Sequence, residues 1–467
     1  MKDRVTILAA CILFVAAGCV TIPRDAGLGD VQRQVEERAS QRIVAYDEPG
    51  GANQPRLQDL LAAPLTVDQV VAVSLLASPR LQATLTELGI ARAALIEAST
   101  IANPMLEAEL RFPGRPVRPY ELKIAQSLVE LIQLPRRRAI GRREFEAAKL
   151  RVTAEILRFA GDARDDYYRL LAASQRVAIL GTVARAAQTA VDLAQRQHQG
   201  GNITDLDLEI EQSLYEESKL ALVRAEEDLL LAREAMIRRM GLRDPGLEWS
   251  IAIDFPPPPE SELPAESLQD LLVERRLDLL IARQEMEIAR VAVPISRLAA
   301  LGEIVIDGHL EREPTGEKTF GPGIEFPIPI FNTGRAARSR AEAEYLRSRF
   351  MLEALTLNAE SEVRATHERA RAARARIDYY RDVVLPRRIR ILELTKLEHN
   401  AMLLGIYDVL EARRSELEAR AAFIDAQRDY WMARNDLDRA LNGVAAAEML
   451  SAIDTTRTLS GTRRGGH

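Results

Sequence analysis

Residues 221–238, ALVRAEEDLLLAREAMIR, return 201 positions later as AFIDAQRDYWMARNDLDR at 422–439. The match extends back without a gap to Asp207 and Asp408, and eight positions are identical. Each half of the chain keeps the same order of elements: a helical opening, a short β-like pair, a very long helix, a turn and a second long helix. This period is far beyond that of solenoid repeats, so it indicates a duplicated unit of domain size.

The composition of the 467 residues is typical of long helices. Charged residues make up 28% and aromatic residues 5%, and Ala, Leu, Glu and Arg dominate. The net charge is −6, with both signs interspersed along the chain. We therefore expect a mainly α protein without a basic surface for nucleic acid.

Residues 1–18 are predicted to be a lipoprotein signal peptide. Lys2 and Arg4 supply its positive end, residues 5–17 its apolar stretch, and small residues precede Cys19. Cys11 lies in the segment that would be removed, so Cys19 is the only remaining thiol and no intramolecular disulfide can form. An ordinary cleaved signal with an incidental cysteine is the alternative. Val20 follows Cys19, where Asp would suggest the inner membrane, and this favours the outer membrane.

Two stretches alternate with a period of two. In the first, Met105, Glu107 and Glu109 alternate with apolar neighbours, and a Pro/Gly-rich turn at 113–119 precedes a second alternating run. The second stretch, at about 303–329, follows the same pattern. Two β-hairpins are therefore predicted. Because no stretch after the signal offers the roughly 20 apolar residues of a transmembrane helix, membrane insertion would have to use these strands.

Two very long helices are predicted from apolar residues at steps of three and four. One runs from 143 to about 199, roughly 85 Å at about 1.5 Å per residue, and its partner from 335 to 401 with a kink at Pro386. Tyr167-Tyr168 and Tyr379-Tyr380 are interpreted as aromatic residues of helix packing or of an interface. Since such helices cannot bury an apolar stripe alone, a bundle or a self-associating tube is required.

The predicted domain organisation follows the repeat. It comprises an extended, lipidated N-terminal segment at 19–64, a first repeat at 65–245 with a hairpin at about 103–128, a Pro-rich linker at 246–264, a second repeat at 265–445 with a hairpin at about 303–329, and a flexible tail at 446–467.

Over residues 60–443 the chain resembles the TolC-like family of outer-membrane efflux proteins. The resemblance rests on the lipoprotein signal, the two-fold repeat, the strand pairs and three stretches: Gly201-Asn-Ile-Thr204-Asp-Leu-Asp207, Gly405-Ile-Tyr-Asp408-Val-Leu-Glu411 and Phe326-Pro-Ile-Pro-Ile-Phe331-Asn-Thr-Gly334. It implies a homotrimer whose helices form an α-barrel tunnel across the periplasm. Each protomer would add two β-hairpins to a shared outer-membrane β-barrel.

The function implied is a passive exit duct in a tripartite efflux or type I secretion system, with a periplasmic adaptor protein and an inner-membrane pump. The alternative is a structural lipoprotein that tethers or spaces the envelope through a helical bundle. The hairpins distinguish the two, because only a duct needs membrane strands. The cargo is left open between metal ions, drugs and polypeptide.

The resemblance also implies roles for the helix turns. The second turn departs from the first, because Met402 stands where the first has Gly201. Asp408 and Glu411 resemble acids that ring the channel aperture, although a helix-end role through the macrodipole is the alternative for Asp408 and the preferred role for Asp207. The positions expected to contact the adaptor are Gly201, Thr204, Asp205, Asp207, Gly405 and Tyr407.

Enzymatic chemistry is not expected. The five histidines are scattered without a second ligand at metal-site spacing, so no metal site is predicted. Asp165-Asp166 is interpreted as a solvated helix face rather than an acid/base pair. Apart from the lipid on Cys19, no cofactor is implied.

Acylation of Cys19 is the first testable prediction. Mass spectrometry of the N-terminal peptide of the purified protein should show acyl chains on Cys19, because small residues precede it and no other thiol remains. An unmodified N-terminus at another residue would contradict the lipoprotein interpretation.

Overall fold

The computed structural model describes residues 26–39, 53–110, 112, 119–243, 248–260, 275–296, 302–313, 315–328 and 330–444. The predicted signal peptide, Cys19 and the tail lie outside these residues. The chain forms two compact units, and each takes segments from both sequence repeats. The sheet unit comprises 1–33, 84–153 and 277–357, and the turn unit comprises 34–83, 154–276 and 358–467.

Helices make up most of the described chain. They are α1 Leu28–Ala39, α2 Asn53–Leu61, α3 Val67–Ala77, α4 Pro79–Ser99, α5 Leu128–Gln199, α6 Asp205–Met240, α7 Leu277–Ser296, α8 Arg335–Tyr379, α9 Leu385–Asn400 and α10 Ile406–Asn442. The strands are β1 Met105–Leu110, β2 Tyr120–Ser127, β3 Val305–Arg312 and β4 Lys318–Glu325.

Helix α5 begins earlier than the sequence pattern predicts. It starts at Leu128, directly after β2, and its 72 residues correspond to about 108 Å. Pro135 lies inside this helix, although proline usually interrupts or kinks a helix because it lacks the N–H donor. By length and composition, α5 is the one described helix that could cross a membrane. The core helix of a soluble protein passes the same test, so insertion through the strands stays the prediction.

The N-terminal segment is not extended throughout. Helices α1 and α2 lie within it, so the prediction of an extended segment at 19–64 is wrong for those residues. Val31 and Val35 of α1 are fully buried. Asp30 also forms an ion pair with Lys149 at 2.8 Å. These contacts stabilise helix in a segment whose glycines and prolines suggest a loose lead.

The predicted irregularity near Pro386 is a local change of helix type. A π-helical turn, Tyr380–Val384, separates α8 from α9, and Pro386 lies in the first turn of α9. Proline cannot donate the hydrogen bond that a continuous α-helix needs there, and a π-bulge is a common way to accommodate this.

The turn unit has an aromatic core. Tyr168 stacks on Phe255 of the Pro-rich linker and on Trp431 of α10, with ring centroids 6.3 and 5.5 Å apart. Tyr167 is fully packed in the same core. The linker is therefore held by Phe255, and the Tyr167-Tyr168 pair packs as predicted.

Buried charges join α5 to α10. The guanidinium of Arg439 lies 2.9 Å from Asp162 and 2.8 Å from Asp165, and Asn435 donates to Asp165 at 2.7 Å. Burial raises the pKa of Asp165. Asp166 pairs with Arg239 at 2.8 Å. The prediction of a solvated Asp165-Asp166 face is therefore wrong, because arginines distant in sequence cover it.

Gly161 makes room for this network. A Cβ at Gly161 would lie 2.6 Å from Nε of Arg439, whereas a Cβ at Gly89 in α4 would meet nothing within 4 Å. We expect Gly161→Ala to lower the free energy of unfolding by about 1–3 kcal/mol. Gly89→Ala, the matched control, should raise it by up to about 1 kcal/mol. Urea unfolding followed by helical circular dichroism measures both, and equal midpoints would contradict the packing argument.

A two-faced sheet and two equivalent helix turns

The two hairpins join into one antiparallel sheet in the order β1-β2-β3-β4. The central pairing sets Tyr120 opposite Arg312 and Ser127 opposite Val305. Both hairpins close at the same end of the sheet, and α5 follows β2 directly at the other end. Strands β1 and β4 are the edges of this sheet within the described chain.

One face of the sheet is acidic. In each strand every second side chain lies on the same face, and the register aligns these side chains across the four strands. On this face they include six carboxylates, one lysine and one histidine. The lysine, Lys123, lies 3.9 Å from Glu325. The members are Glu107, Glu109, Glu121, Lys123, Asp307, His309, Glu311 and Glu325.

Two glycines of β4 make room on the acidic face. A Cβ at Gly323 would lie 2.5 Å from Oδ2 of Asp307, and one at Gly321 would lie 3.0 Å from the ring of His309. The side chains of Asp307 and His309 therefore lie over the glycine backbone.

The opposite face is apolar and exposed. Phe320 is 79% exposed and Leu106 is 67% exposed. Such values are typical of apolar surfaces that bind another protein or lipid, and not of residues in a protein core. The apolar members are Leu106, Ala108, Leu110, Leu122, Ile124, Ile306, Leu310, Phe320, Pro322 and Ile324.

The turns α5–α6 and α9–α10 have the same backbone. Gly201 and Met402 occupy equivalent positions in the left-handed region, with φ values of 71° and 59°. Their N–H groups donate to the carbonyls of His198 and His399, each at 2.9 Å. Met402 therefore keeps a conformation that favours glycine, and its side chain is 94% exposed.

An acid closes each turn by capping the next helix. Oδ2 of Asp207 accepts from the backbone N–H of Thr204 at 3.0 Å, and Oδ2 of Asp408 accepts from that of Gly405 at 2.9 Å. The hydrogen bonds from Thr204 lower the pKa of Asp207. Both acids therefore have a helix-end role.

The other predicted turn residues have local partners. Asp205 lies 2.6 Å from Nε2 of His198, and Glu411 pairs with Arg414 at 3.2 Å. The hydroxyl of Tyr407 donates to Gln197 at 2.7 Å, which ties the second turn to the first helix hairpin.

Sequence reasoning missed the histidines of the turns. His198 and His399 are 201 positions apart, so the repeat offset relates them, and each bonds across its own turn. They are therefore not scattered. Across the described ranges, no group of three or more His, Cys, Asp or Glu side chains is placed to hold a metal ion.

The sequence profile of the family described as outer membrane efflux protein matches residues 268–443. The chain is 22% identical over 414 residues to the cobalt-zinc-cadmium resistance protein CzcC of Cupriavidus metallidurans, covering 85% of this chain and 95% of that protein.

Two solved structures have a similar fold. CusC superimposes with a TM-score of 0.68 at 19% identity, covering 81% of this chain and 92% of that chain. The CmeC outer membrane channel of Campylobacter jejuni gives a TM-score of 0.69 at 17% identity, covering 84% and 89%.

Together these likenesses define a class of protein, the outer-membrane channels built from long helix hairpins and short β-hairpins. Residues 268–443 match the sequence profile of outer membrane efflux proteins, and the fold is similar to that of these channels, in agreement with the resemblance in the sequence. The predicted fold class, channel function and outer-membrane location are confirmed at this level.

The two turns allow a matched test of backbone strain. Neither Gly201 nor the exposed Met402 side chain makes contacts that a substitution would disturb greatly. Gly201→Ala should therefore destabilise the first turn and Met402→Gly should stabilise the second, each by roughly 1 kcal/mol. Limited proteolysis at the two turns measures this as faster cleavage in the first variant and slower cleavage in the second. Unchanged cleavage rates in both variants would show that the positive φ angle does not determine the stability of these turns.

Proposed function

We propose that three copies of this chain form a passive duct that carries cations out through the outer membrane. The observation that carries the proposal is the sheet: one exposed apolar face, one acidic face and two open edges. Alternation of this kind is typical of strands with lipid on one side and water on the other.

Open edges support assembly from several copies. Inside a bilayer each unpaired N–H or C=O group is costly, so a sheet can enter only if its edge strands find partners. Edge β1 of one protomer pairing with β4 of the next would supply them and close a barrel of shared strands.

The helices support the same assembly. Apolar side chains of α6 remain exposed, with Leu206 at 69% and Leu230 and Leu231 at 59%. A neighbouring protomer would bury this surface, as a helical tunnel requires. The family resemblance suggests three protomers.

The turns are proposed to meet a periplasmic adaptor protein, which links the duct to an inner-membrane pump that supplies energy. We assign the adaptor contacts to Gly201, Thr204, Asp205, Asp207, Gly405 and Tyr407, and the aperture to Asp408 and Glu411. Arg414, which pairs with Glu411, supports the aperture role because repulsion between acids of several copies needs a basic partner. A lipid on Cys19 would provide a second attachment to the outer membrane.

Two facts favour metal cations as cargo. The acidic face sets six carboxylates against one lysine, which concentrates cations at the strands. CzcC, similar over 85% of this chain, is a cobalt-zinc-cadmium resistance protein. Since the face attracts cations generally, the pump would select the metal.

Ion selectivity in planar bilayers tests this function. The wild-type channel should favour K⁺ over Cl⁻, as measured from the reversal potential in a KCl gradient. Replacing Glu121 and Glu311 together by Gln should lower the permeability ratio several-fold, because fewer carboxylates face the pore.

Lys123→Gln is the matched control on the same face and should raise that ratio. The double variant Asp408→Ala, Glu411→Ala should weaken block by divalent cations, whereas Asp207→Ala should leave it unchanged. A wild-type channel that prefers anions, or no conducting channel at all, would contradict the proposal.

A further inference from the structure

The apolar face of the sheet ends in a basic row. At the end where both hairpins close, Tyr120, Arg312 and Lys318 lie side by side on β2, β3 and β4. The next rows inward on the same face are apolar, including Leu122, Leu310 and Phe320. The basic row is therefore the rim of the apolar face.

Two cations in register need an explanation. Directly opposite residues of an antiparallel pair lie about 5 Å apart, and like charges there are destabilising. The side chains of Arg312 and Lys318 make no ion pair or hydrogen bond with any residue in the described part of the chain. Nε of Arg312 is buried and lacks a hydrogen-bond partner. The turn offers Glu313 and Glu317, and neither pairs with them. An anion between the two side chains would satisfy both.

The surroundings identify the anion. A soluble anion would approach from water, but this row continues an apolar face that bears exposed Phe320 and Leu110. Aromatic residues with a polar end, such as Tyr120, favour the level of lipid head groups. Basic side chains at that level bind phosphate.

We propose that Tyr120, Arg312 and Lys318 bind the phosphate group of an outer-membrane glycolipid whose acyl chains lie against the apolar face. The inference rests on the proposed function, because it requires this face to meet lipid. Both hairpins close at the end of the sheet remote from the start of α5. The row therefore faces the outer leaflet if the helices extend into the periplasm.

Native mass spectrometry of the detergent-released protein tests the inference, with diphosphorylated lipid A as the probe. Wild-type protein should retain lipid A. In the double variant Arg312→Gln, Lys318→Gln, most of the protein should carry no lipid A. Dephosphorylated lipid A should bind weakly to both. Lys123→Gln, which removes a cation from the other face of the same sheet, is the matched control and should bind lipid A like the wild type.

The outcomes separate the possible failures. The inference would be overturned if the wild type and the double variant bound lipid A equally. It would also be overturned if the wild type bound dephosphorylated lipid A as well as it binds the diphosphorylated form. Displacement of lipid A by millimolar inorganic phosphate would also overturn it, since the site would then serve a soluble anion. Helical circular dichroism confirms that the variants fold, and bilayer conductance tests the duct separately. If the double variant conducts normally and still binds lipid A, only the lipid site is refuted.

Discussion

The structure depends on a constraint on the backbone: a sheet in lipid cannot leave an edge unpaired. In the described part of the chain, one protomer supplies four strands with open edges at β1 and β4, so these strands cannot satisfy the constraint alone. The same strands separate apolar from acidic side chains, because their period of two puts neighbours on opposite faces. Pairing with other copies would thus give the edge N–H and C=O groups their hydrogen bonds. The same step would place the apolar face toward lipid and the acidic face toward water.

The local elements were predictable from the sequence, and their long-range partners were not. The strands fall within the stretches where residues alternate, since alternation is a local property. Pairing of β2 with β3 joins segments far apart in the chain, and no local pattern specifies it. Helix α1 was missed for a similar reason, because its Asp30 pairs with Lys149, which lies 119 positions away in the chain.

The candidate site shows the same division. The capping role of Asp207 and Asp408 could be foreseen from residues three positions away. Asp165 was misjudged because its partner Arg439 belongs to the other repeat. His198 and His399 could have been related by comparing positions across the 201-residue offset rather than by looking for ligand pairs. The repeat is therefore the most informative guide to both the fold and the turns.

The β2–β3 pairing also has a kinetic consequence. Tyr120 and Arg312 pair across about 190 positions of chain, a separation that gives high contact order and slow folding. The first hairpin emerges during synthesis long before its partner strand exists, and until then its apolar side chains are exposed to water. Partly formed sheets with open edges aggregate readily. We therefore expect a chain of this design to stay unfolded and to need protection from aggregation until its second half has been made.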